Sequence, residues 1–414
     1  MNSTISTQPG FNELGLAKPL LGALAAADYR VPTPIQAQAI PPLLAGRDLL
    51  GIAQTGTGKT AAFVLPMLHR LAAANRRARP RQAFALILAP TRELVLQIGD
   101  SIATYGRQLR LRHTAVIGGV SIRPQIAAMR NGADIVVATP GRLLDLIEQR
   151  HIDLSQIENL VLDEADRMLD MGFIRDVRKI VRLLKADRQT ALFSATMPAE
   201  IAKLAAEVLR NPVRAEIESK TVAVERIVQE VHHVSAAAKR GRLSELLSGG
   251  NIGRAIVFTR TKHGADKVAR HLDGTGVSCG AIHGNKSQNA RQRTLESFRD
   301  GRLRVLVATD IASRGIDVDG VTHVINFEMP VEPESYVHRI GRTARAGADG
   351  IAISFCDDSE RSQLWAIEKL LKRPLTVIGQ APASGASRPH PAAIREAMPN
   401  TRNRRRRHFR ARAA

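Results

Sequence analysis

Two short stretches carry residue types that can do chemistry together. At 53–60 the chain reads "AQTGTGKT", and at 161–169 it reads "VLDEADRML". In the first, Gly56 and Gly58 let backbone N–H groups turn toward phosphate oxygens. Lys59 supplies positive charge to the β- and γ-phosphates, and the Thr60 hydroxyl can ligate Mg²⁺. Gln54, Thr55 and Thr57 complete a loop of the length that wraps a nucleotide. The strict pattern has Gly where this chain has Ala53, so the match is near rather than complete. In the second stretch Asp163, Glu164 and Asp166 crowd three acids into four positions at the end of an apolar run. Alone they read equally well as acids complementing a helix N-terminus. Beside a phosphate loop, Asp163 is a second metal ligand acting partly through water, and Glu164 is placed to polarise an attacking water.

Such residues need a scaffold that brings them to one edge. Short β-branched apolar runs recur at 48–53, 84–90, 114–119, 134–140, 159–164 and 190–196, and again at 254–260, 304–310, 322–328 and 351–356. They do not alternate with polar residues, as expected of strands covered on both faces. Strand–helix alternation, occurring twice, implies two doubly wound parallel-sheet α/β domains. Ligands bind such sheets at the carboxyl ends of the strands, which is where Asp163 would project. The domains are expected at 1–217 and 229–378, joined by a linker at 218–228.

The balance of 60 basic and 39 acidic residues gives +21, which points to a polyanionic partner. Residues 379–414 hold nine Arg and one Glu, with small residues and proline before them. Such a segment cannot bury a core and is expected to be a disordered basic tail that anchors nucleic acid. Aromatics are only 3% of the chain, too few for a platform that stacks successive bases, so the grip should fall on sugar and phosphate. No apolar run spans a membrane, the N-terminal residues have neither the basic nor the apolar part of a secretory signal, and Cys279 and Cys356 give no metal spacing. A cytoplasmic monomer without membrane contact is the expectation.

Taken with "SAT" at 194–196, the phosphate loop and "DEAD" at 163–166 make the sequence resemble the DEAD-box ATP-dependent RNA helicases over about residues 11–375. "PTPIQ" (32–36), "PTREL" (90–94), "GG" (118–119), "TPGR" (139–142), "VFTRTK" (257–262), "ATDIASRGID" (308–317) and "HRIGRTARAG" (338–347) match further family motifs in order. "RTKHGAD" (260–266) and "HGNKSQ" (283–288) resemble the bacterial RhlE-type branch.

The resemblance implies two tandem RecA-like domains, with ATP and Mg²⁺ as cofactors and RNA as partner. It implies that Gln36 pairs with the adenine edge, Tyr29 stacks on the base with Phe11 upstream, and Gly315 and Asp317 lie at the nucleotide, Asp317 against the ribose. Arg342 and Arg345 would be arginine fingers, typically worth about 10³–10⁵ in rate. Asp166, Ser194, Thr196 and His338 would couple the ATP site to the RNA site. Thr91, Arg92, Gly119, Thr139, Gly141 and Arg142, with Arg260, Gly284 and Thr309 from the second domain, would contact the RNA backbone without reading bases. Three positions depart from the family: Asp28 and Ala344 replace a usual Gly, leaving local geometry open, and Glu328 replaces a common Asp, expected to be neutral.

Three functions remain in competition on sequence grounds. The first is a helicase that closes two domains on ATP and RNA to separate short duplexes or remodel RNA–protein complexes, such as ribosomal precursors or RNA-decay assemblies. The second is an ATP-modulated RNA clamp or annealing chaperone dominated by the tail. The third is a DNA-directed motor.

Overall fold

The computed structural model describes residues 10–54, 56–217, 226–250, 252–310, 318, 320–344 and 349–379. Two seven-stranded sheets form, and the strand pairing in each is parallel throughout. The first contains β1 (Leu49–Ile52), β2 (Ala85–Leu88), β3 (His113–Val116), β4 (Ile135–Ala138), β5 (Asn159–Leu162), β6 (Gln189–Ser194) and β7 (Val213–Glu216). Their order is β3-β4-β2-β5-β6-β1-β7. The second contains β8 (Ile227–His233), β9 (Arg254–Thr259), β10 (Cys279–Ile282), β11 (Val305–Thr309), β12 (Val321–Asn326), β13 (Gly350–Cys356) and β14 (Thr376–Ile378). Their order is β10-β11-β9-β12-β13-β8-β14, so in both sheets strands distant in the chain become neighbours through crossover connections.

The uninterrupted apolar runs have a direct explanation in packing. Successive strand residues point to opposite faces. Ile87, Val137 and Val161 enter one core, while Leu86, Leu88, Val136 and Leu162 enter another on the far face. The second sheet repeats this, with Val257, Val305 and Val307 on one side and Ile256, Leu306 and Val324 on the other. Each face is roofed by helices, so polar residues are disfavoured on both.

Four strands lie outside the expected runs: β7, β8, β10 and β14. Three of them are sheet edges, and β8 lies next to the edge strand β14. An edge strand buries less, so its sequence carries less apolar signal; β14 is exposed along its whole length. Ile227 and Val228, expected to lie in the linker at 218–228, begin β8, where they pair with Gly350 and Ile351. The basic tail from residue 380 onward lies outside the described residues, as does most of the linker.

Parallel pairing has one consequence for position. Every strand of a sheet ends at the same edge. The phosphate loop follows β1, Thr91 follows β2, Gly119 follows β3, Thr139 follows β4, Asp163 follows β5 and Ser194 ends β6. The first domain's candidate residues on these connections therefore share one edge.

Candidate functional site

The phosphate loop is held by its own polar groups. Gly56 and Gly58 have φ of 86° and 87°, the left-handed region that side chains disfavour. Gly58 then opens the helix Lys59–Ala74. The buried Lys59 ammonium donates to the Ala53 carbonyl at 2.7 Å, and the Thr57 hydroxyl donates to the Gln54 carbonyl at 2.7 Å. Gln36 reaches this loop from the helix Pro34–Leu44. Its Oε1 accepts from the Thr33 N–H at 2.9 Å and its Nε2 donates to the Gly58 carbonyl at 3.1 Å. The residue proposed to select the base is thus tied to the loop proposed to hold the phosphates. Tyr29 stands exposed, edge-on to Tyr105 with ring centroids 5.9 Å apart. Phe11, by contrast, is buried in the first domain's core. Thr55 lies outside the described residues, and Thr60 follows Lys59 into the helix.

Asp163 and Glu164 are adjacent buried carboxylates. Burial raises the Asp163 carboxyl well above the usual range; the Lys59 charge opposes this and the Glu164 charge adds to it. Glu164 sits at φ 52°, and its N–H donates to Asp163 Oδ1 at 3.0 Å. Burial pushes the Glu164 carboxyl upward too, but Arg167, Lys59 and Arg342 outweigh it and leave it below its ordinary value. Arg167 holds it by a buried ion pair at 2.9 Å. The two neighbours are driven apart, one toward the protonated form and one toward the charged form.

Asp166 turns the other way. Its Oδ2 accepts from the Thr196 N–H at 3.0 Å, the Thr196 hydroxyl at 3.0 Å and the Ala195 N–H at 3.2 Å. Its own N–H donates to Ser194 Oγ at 3.2 Å, and that hydroxyl donates to the Thr196 carbonyl at 2.7 Å. The acidic turn after β5 and the turn after β6 are consequently one hydrogen-bonded unit.

The second domain faces this unit. His338, on the helix Pro333–Ile340, has its pKa pushed down to about 4, first by burial and then by the Arg167 and Arg342 charges. The buried Arg342 donates through Nε to the His338 carbonyl at 3.3 Å, and its charge lowers the Glu164 pKa. Arg345, Gly315 and Asp317 lie outside the described residues. Sequence reasoning misses Arg339. Its guanidinium makes paired bonds to Asp310 at 2.6 and 2.7 Å and also donates to the Asn326 side chain and the Glu328 carbonyl. It lies 5.0 Å from the centre of the Phe258 ring. Asp310 and Arg339 both sit inside matched motifs, "ATD" and "HRIGR", so the signal is present but offers no role. Arg167 is missed likewise, one residue beyond "DEAD".

Six of the nine candidate RNA contacts, Thr91, Arg92, Thr139, Gly141, Arg142 and Gly284, line one cleft of about 340 Å³ between the two domains. Thr91 and Thr139 start helices there, and Thr91 Oγ1 caps Leu94 N–H at 3.3 Å. Gly119 adjoins the cleft, because the Arg92 guanidinium lies across it; a Cβ at Gly119 would stand 1.9 Å from Arg92 Nη1. Burial, then the Arg291 and Arg142 charges, lower the Arg92 pKa, the mark of like charges held together. The cleft is bridged by residues that the sequence does not single out as a set. Glu93, after β2, accepts from Gln288 Nε2 at 3.0 Å and pairs with Arg291 at 3.0 Å. Arg260 and Thr309 stand apart from the cleft's lining. Arg260 donates to Glu360 at 2.9 Å, and its N–H donates to Glu328 at 2.7 Å, so Glu328 has a definite partner. Thr309 ends β11 and is nearly buried.

Both substitutions of a usual Gly fall on left-handed backbone: Asp28 at φ 58° and Ala344 at φ 55°. The family's Gly preference there is conformational. Asp28 offsets it partly by accepting from Arg30 Nε at 2.8 Å.

Known proteins share this sequence and fold. Residues 33–204 match the DEAD/DEAH box helicase family and 238–347 match the helicase conserved C-terminal domain. The DEAD-box ATP-dependent RNA helicase CshA of Streptococcus pneumoniae is 45% identical over 374 residues, 90% of this chain and 70% of that one. S. cerevisiae Dbp5 bound to RNA and ADP BeF3 superposes with a TM-score of 0.79 at 34% identity, covering 89% of this chain and 95% of that one. Mss116p bound to ssRNA and AMP-PNP superposes at 0.82 with 27% identity, covering 92% and 82%. The similarity to CshA fixes the family and does not extend to the narrower RhlE-type branch. With a phosphate loop, a paired acidic turn and a basic interdomain cleft in the family's order, this chain belongs to the DEAD-box ATP-dependent RNA helicases.

Proposed function

We propose that this ATP-dependent RNA helicase separates short duplexes locally, by closing its two domains on ATP and on the sugar–phosphate backbone of one strand. What supports this reading is a single arrangement: one interdomain boundary divides both sites. Glu164 and Asp166 face Arg342 and His338 across it, while Arg92 and Arg142 share a cleft with Gly284 and Arg291 across it. Closure thus completes the hydrolytic and RNA sites together, and reopening dismantles both.

In this reading Lys59 and the loop from Gln54 to Thr60 hold the phosphates, Gln36 and Tyr29 hold the adenine, and Glu164 orients the attacking water. Gly315 and Asp317 serve the nucleotide, and Arg342 and Arg345 stabilise charge on the transferred phosphoryl group. Mg²⁺ fits this chain. Asp163 is a buried carboxylate with one oxygen engaged by a neighbouring N–H, its pKa raised by burial, and hard oxygen donors suit that ion. Asp163 and the Thr60 hydroxyl would hold the ion, which when bound with ATP neutralises charge on the phosphates. Asp166 joins the acidic turn to Ser194 and Thr196 and carries the state of the site toward the RNA cleft.

The domain extents follow as 1–217 and 227–378, with a linker between and a basic RNA-anchoring tail from 379. The motifs "RTKHGAD" and "HGNKSQ" support a place in the RhlE-type branch, and a cytoplasmic monomer acting on ribosomal precursors or RNA-decay assemblies is consistent with it. Among the described residues no helix is long and apolar enough to cross a membrane.

Glu164→Gln keeps the shape of the site and removes the carboxylate. It is expected to retain ATP binding and to lose RNA-stimulated phosphate release by 10²-fold or more, roughly the weight of a positioned acid–base group. Undiminished turnover in a steady-state phosphate-release assay would remove Glu164 from its role. Comparing stimulation by RNA and by DNA of equal length separates the helicase from a DNA motor.

A further inference from the structure

The amino ends of the strands in the first sheet form the edge opposite the site. The strands between the two edges are short, roughly 13–20 Å, and all run the same way. The connections entering β2, β3, β4 and β5 (residues 75–82, 106–112, 130–134 and 149–158) carry nine arginines and three acids. The acids do not balance this surface. Asp134 is fully buried, accepting from the Ala78 and Arg112 N–H groups at 3.1 and 2.8 Å. Glu158 is engaged by Arg76 and Lys185, and Asp153 by Gln82 and Ser155.

Several arginines are also fixed on neutral acceptors, although Arg77 and Arg112 reach Asp134 as well. Arg112 donates to the Asn131 and Ala78 carbonyls at 3.0 and 3.3 Å, Arg81 donates to the Arg150 carbonyl at 3.3 Å, and Arg77 donates to the Arg110 carbonyl. A carbonyl orients a guanidinium without cancelling its charge. Arg79, Arg107, Arg110 and Arg130 are exposed and make no ion pair among the described residues. The four connections are also stitched into one surface, because Arg81 N–H donates to the Met129 carbonyl at 2.7 Å and Arg77 pairs with Asp134 at 3.2 Å.

We propose that this edge is a second RNA-binding surface, which holds the phosphates of RNA lying outside the cleft. No apolar centre accompanies the charge: of the exposed large hydrophobic residues, Tyr29, edge-on to Tyr105 before β3, and Leu183, near Lys185 before β6, stand at opposite ends of the row β3-β4-β2-β5-β6. A specific protein partner would be expected to find an apolar centre, and a lipid surface an apolar face to insert. A surface of ordered guanidinium groups with no such centre suits a phosphate backbone, where affinity comes from released counterions. The cleft then handles one strand while the far edge retains the flanking segment, so a long RNA stays attached when the cleft opens. The proposal rests on RNA being the substrate of the cleft.

The test uses the full chain carrying Arg79→Gln, Arg107→Gln, Arg110→Gln and Arg130→Gln together. None of these residues touches the nucleotide site or the cleft. Binding of a long structured RNA, followed by anisotropy against salt, should weaken. The log–log salt slope should fall by about 3, roughly 0.7–0.9 for each phosphate that is no longer neutralised. ATP turnover stimulated by a short single strand that fills only the cleft should be unchanged. Equal affinity and slope for the long RNA would overturn the proposal. So would a loss confined to anionic vesicles or to an acidic protein. Hydroxyl-radical footprinting of the unsubstituted chain is independent of any folding defect: residues 75–82 should be protected by the long RNA and not by the short one. Equal exposure with both RNAs overturns the surface. Failure of the cleft reading would show separately, as no stimulation of the unsubstituted chain by the short strand.

Discussion

Asp163, Glu164 and Asp166 are three acids with three environments, and the environment assigns the work. Burial raises Asp163, three cations hold Glu164 charged, and the backbone of the turn after β6 satisfies Asp166. The two departures from the family's glycines are also decided at this scale. Ala344 carries a Cβ at φ 55° with no side-chain polar group to offset it. Ala344→Gly should therefore stabilise the second domain by up to about 1 kcal/mol, since left-handed backbone costs an L-residue roughly 1–2 kcal/mol and Gly returns part of that as unfolded-state entropy. Urea unfolding reads this directly; a lower midpoint in the variant would show that the packing of the methyl group outweighs the strain. The buried Arg339 belongs here as well. It is an arginine of a catalytic-looking motif whose guanidinium is consumed by Asp310, Asn326 and a carbonyl, so it ties the helix Pro333–Ile340 to the ends of β11 and β12 instead of reaching out.

At the scale of elements, the helices Pro34–Leu44 and Lys59–Ala74 meet at Gly58. A Cβ there would lie 2.4 Å from Gln36 Nε2 and 3.1 Å from Thr33 Oγ1, on backbone at φ 87°. Gly58→Ala thus displaces Gln36 and strains the loop together. Its expected outcome is a loss of ATP affinity of about 5- to 150-fold with the fold retained, because roughly 1–3 kcal/mol of strain falls on the binding loop alone. A fluorescent nucleotide titration beside a thermal melt checks it, and unimpaired affinity would show that Gln36 does not need its present place. Parallel pairing does the remaining positioning, since each strand delivers its connection to the same edge. The same geometry separates the two basic surfaces, one at the carboxyl ends and one at the amino ends of a single sheet.

For the whole molecule, the boundary between domains is the functional element. His338 is half-buried near Arg167 and Arg342 and has its pKa pushed down to about 4, so it is neutral at pH 7. Once the domains part, it returns toward the ordinary value near 6.5. The open form then binds the extra proton, so closure is favoured above about 6.5 and is progressively lost as pH falls toward 4. Fluorescence energy transfer between labelled domains, with ATP analogue and RNA, should show weakening closure across that window. His338→Asn should flatten the dependence. A profile unchanged by the substitution would place the titration elsewhere. Glu93 acts at the same scale, because its buried carboxylate accepts from both Gln288 and Arg291 of the other domain.

The residue types at the candidate site and most of the local elements are legible in the sequence. A phosphate loop, an acidic turn and strand runs apolar on both faces depend on neighbours within a few residues, so they are legible in one dimension. Ten of the fourteen strands can be read this way, while β7, β8, β10 and β14 cannot, because exposed or half-buried positions run through them and interrupt the apolar signal. The tertiary structure alone decided what lies across from what. Glu164 owes its charge in part to Arg342, 178 positions along the chain, and Arg92 shares its cleft with Arg291 of the other domain. It also places the Arg260 side chain against Glu360, its N–H against Glu328, and the Phe11 ring in the first core. Charge, burial and competition for a partner are properties of three-dimensional neighbourhoods, and spacing along a chain does not carry them.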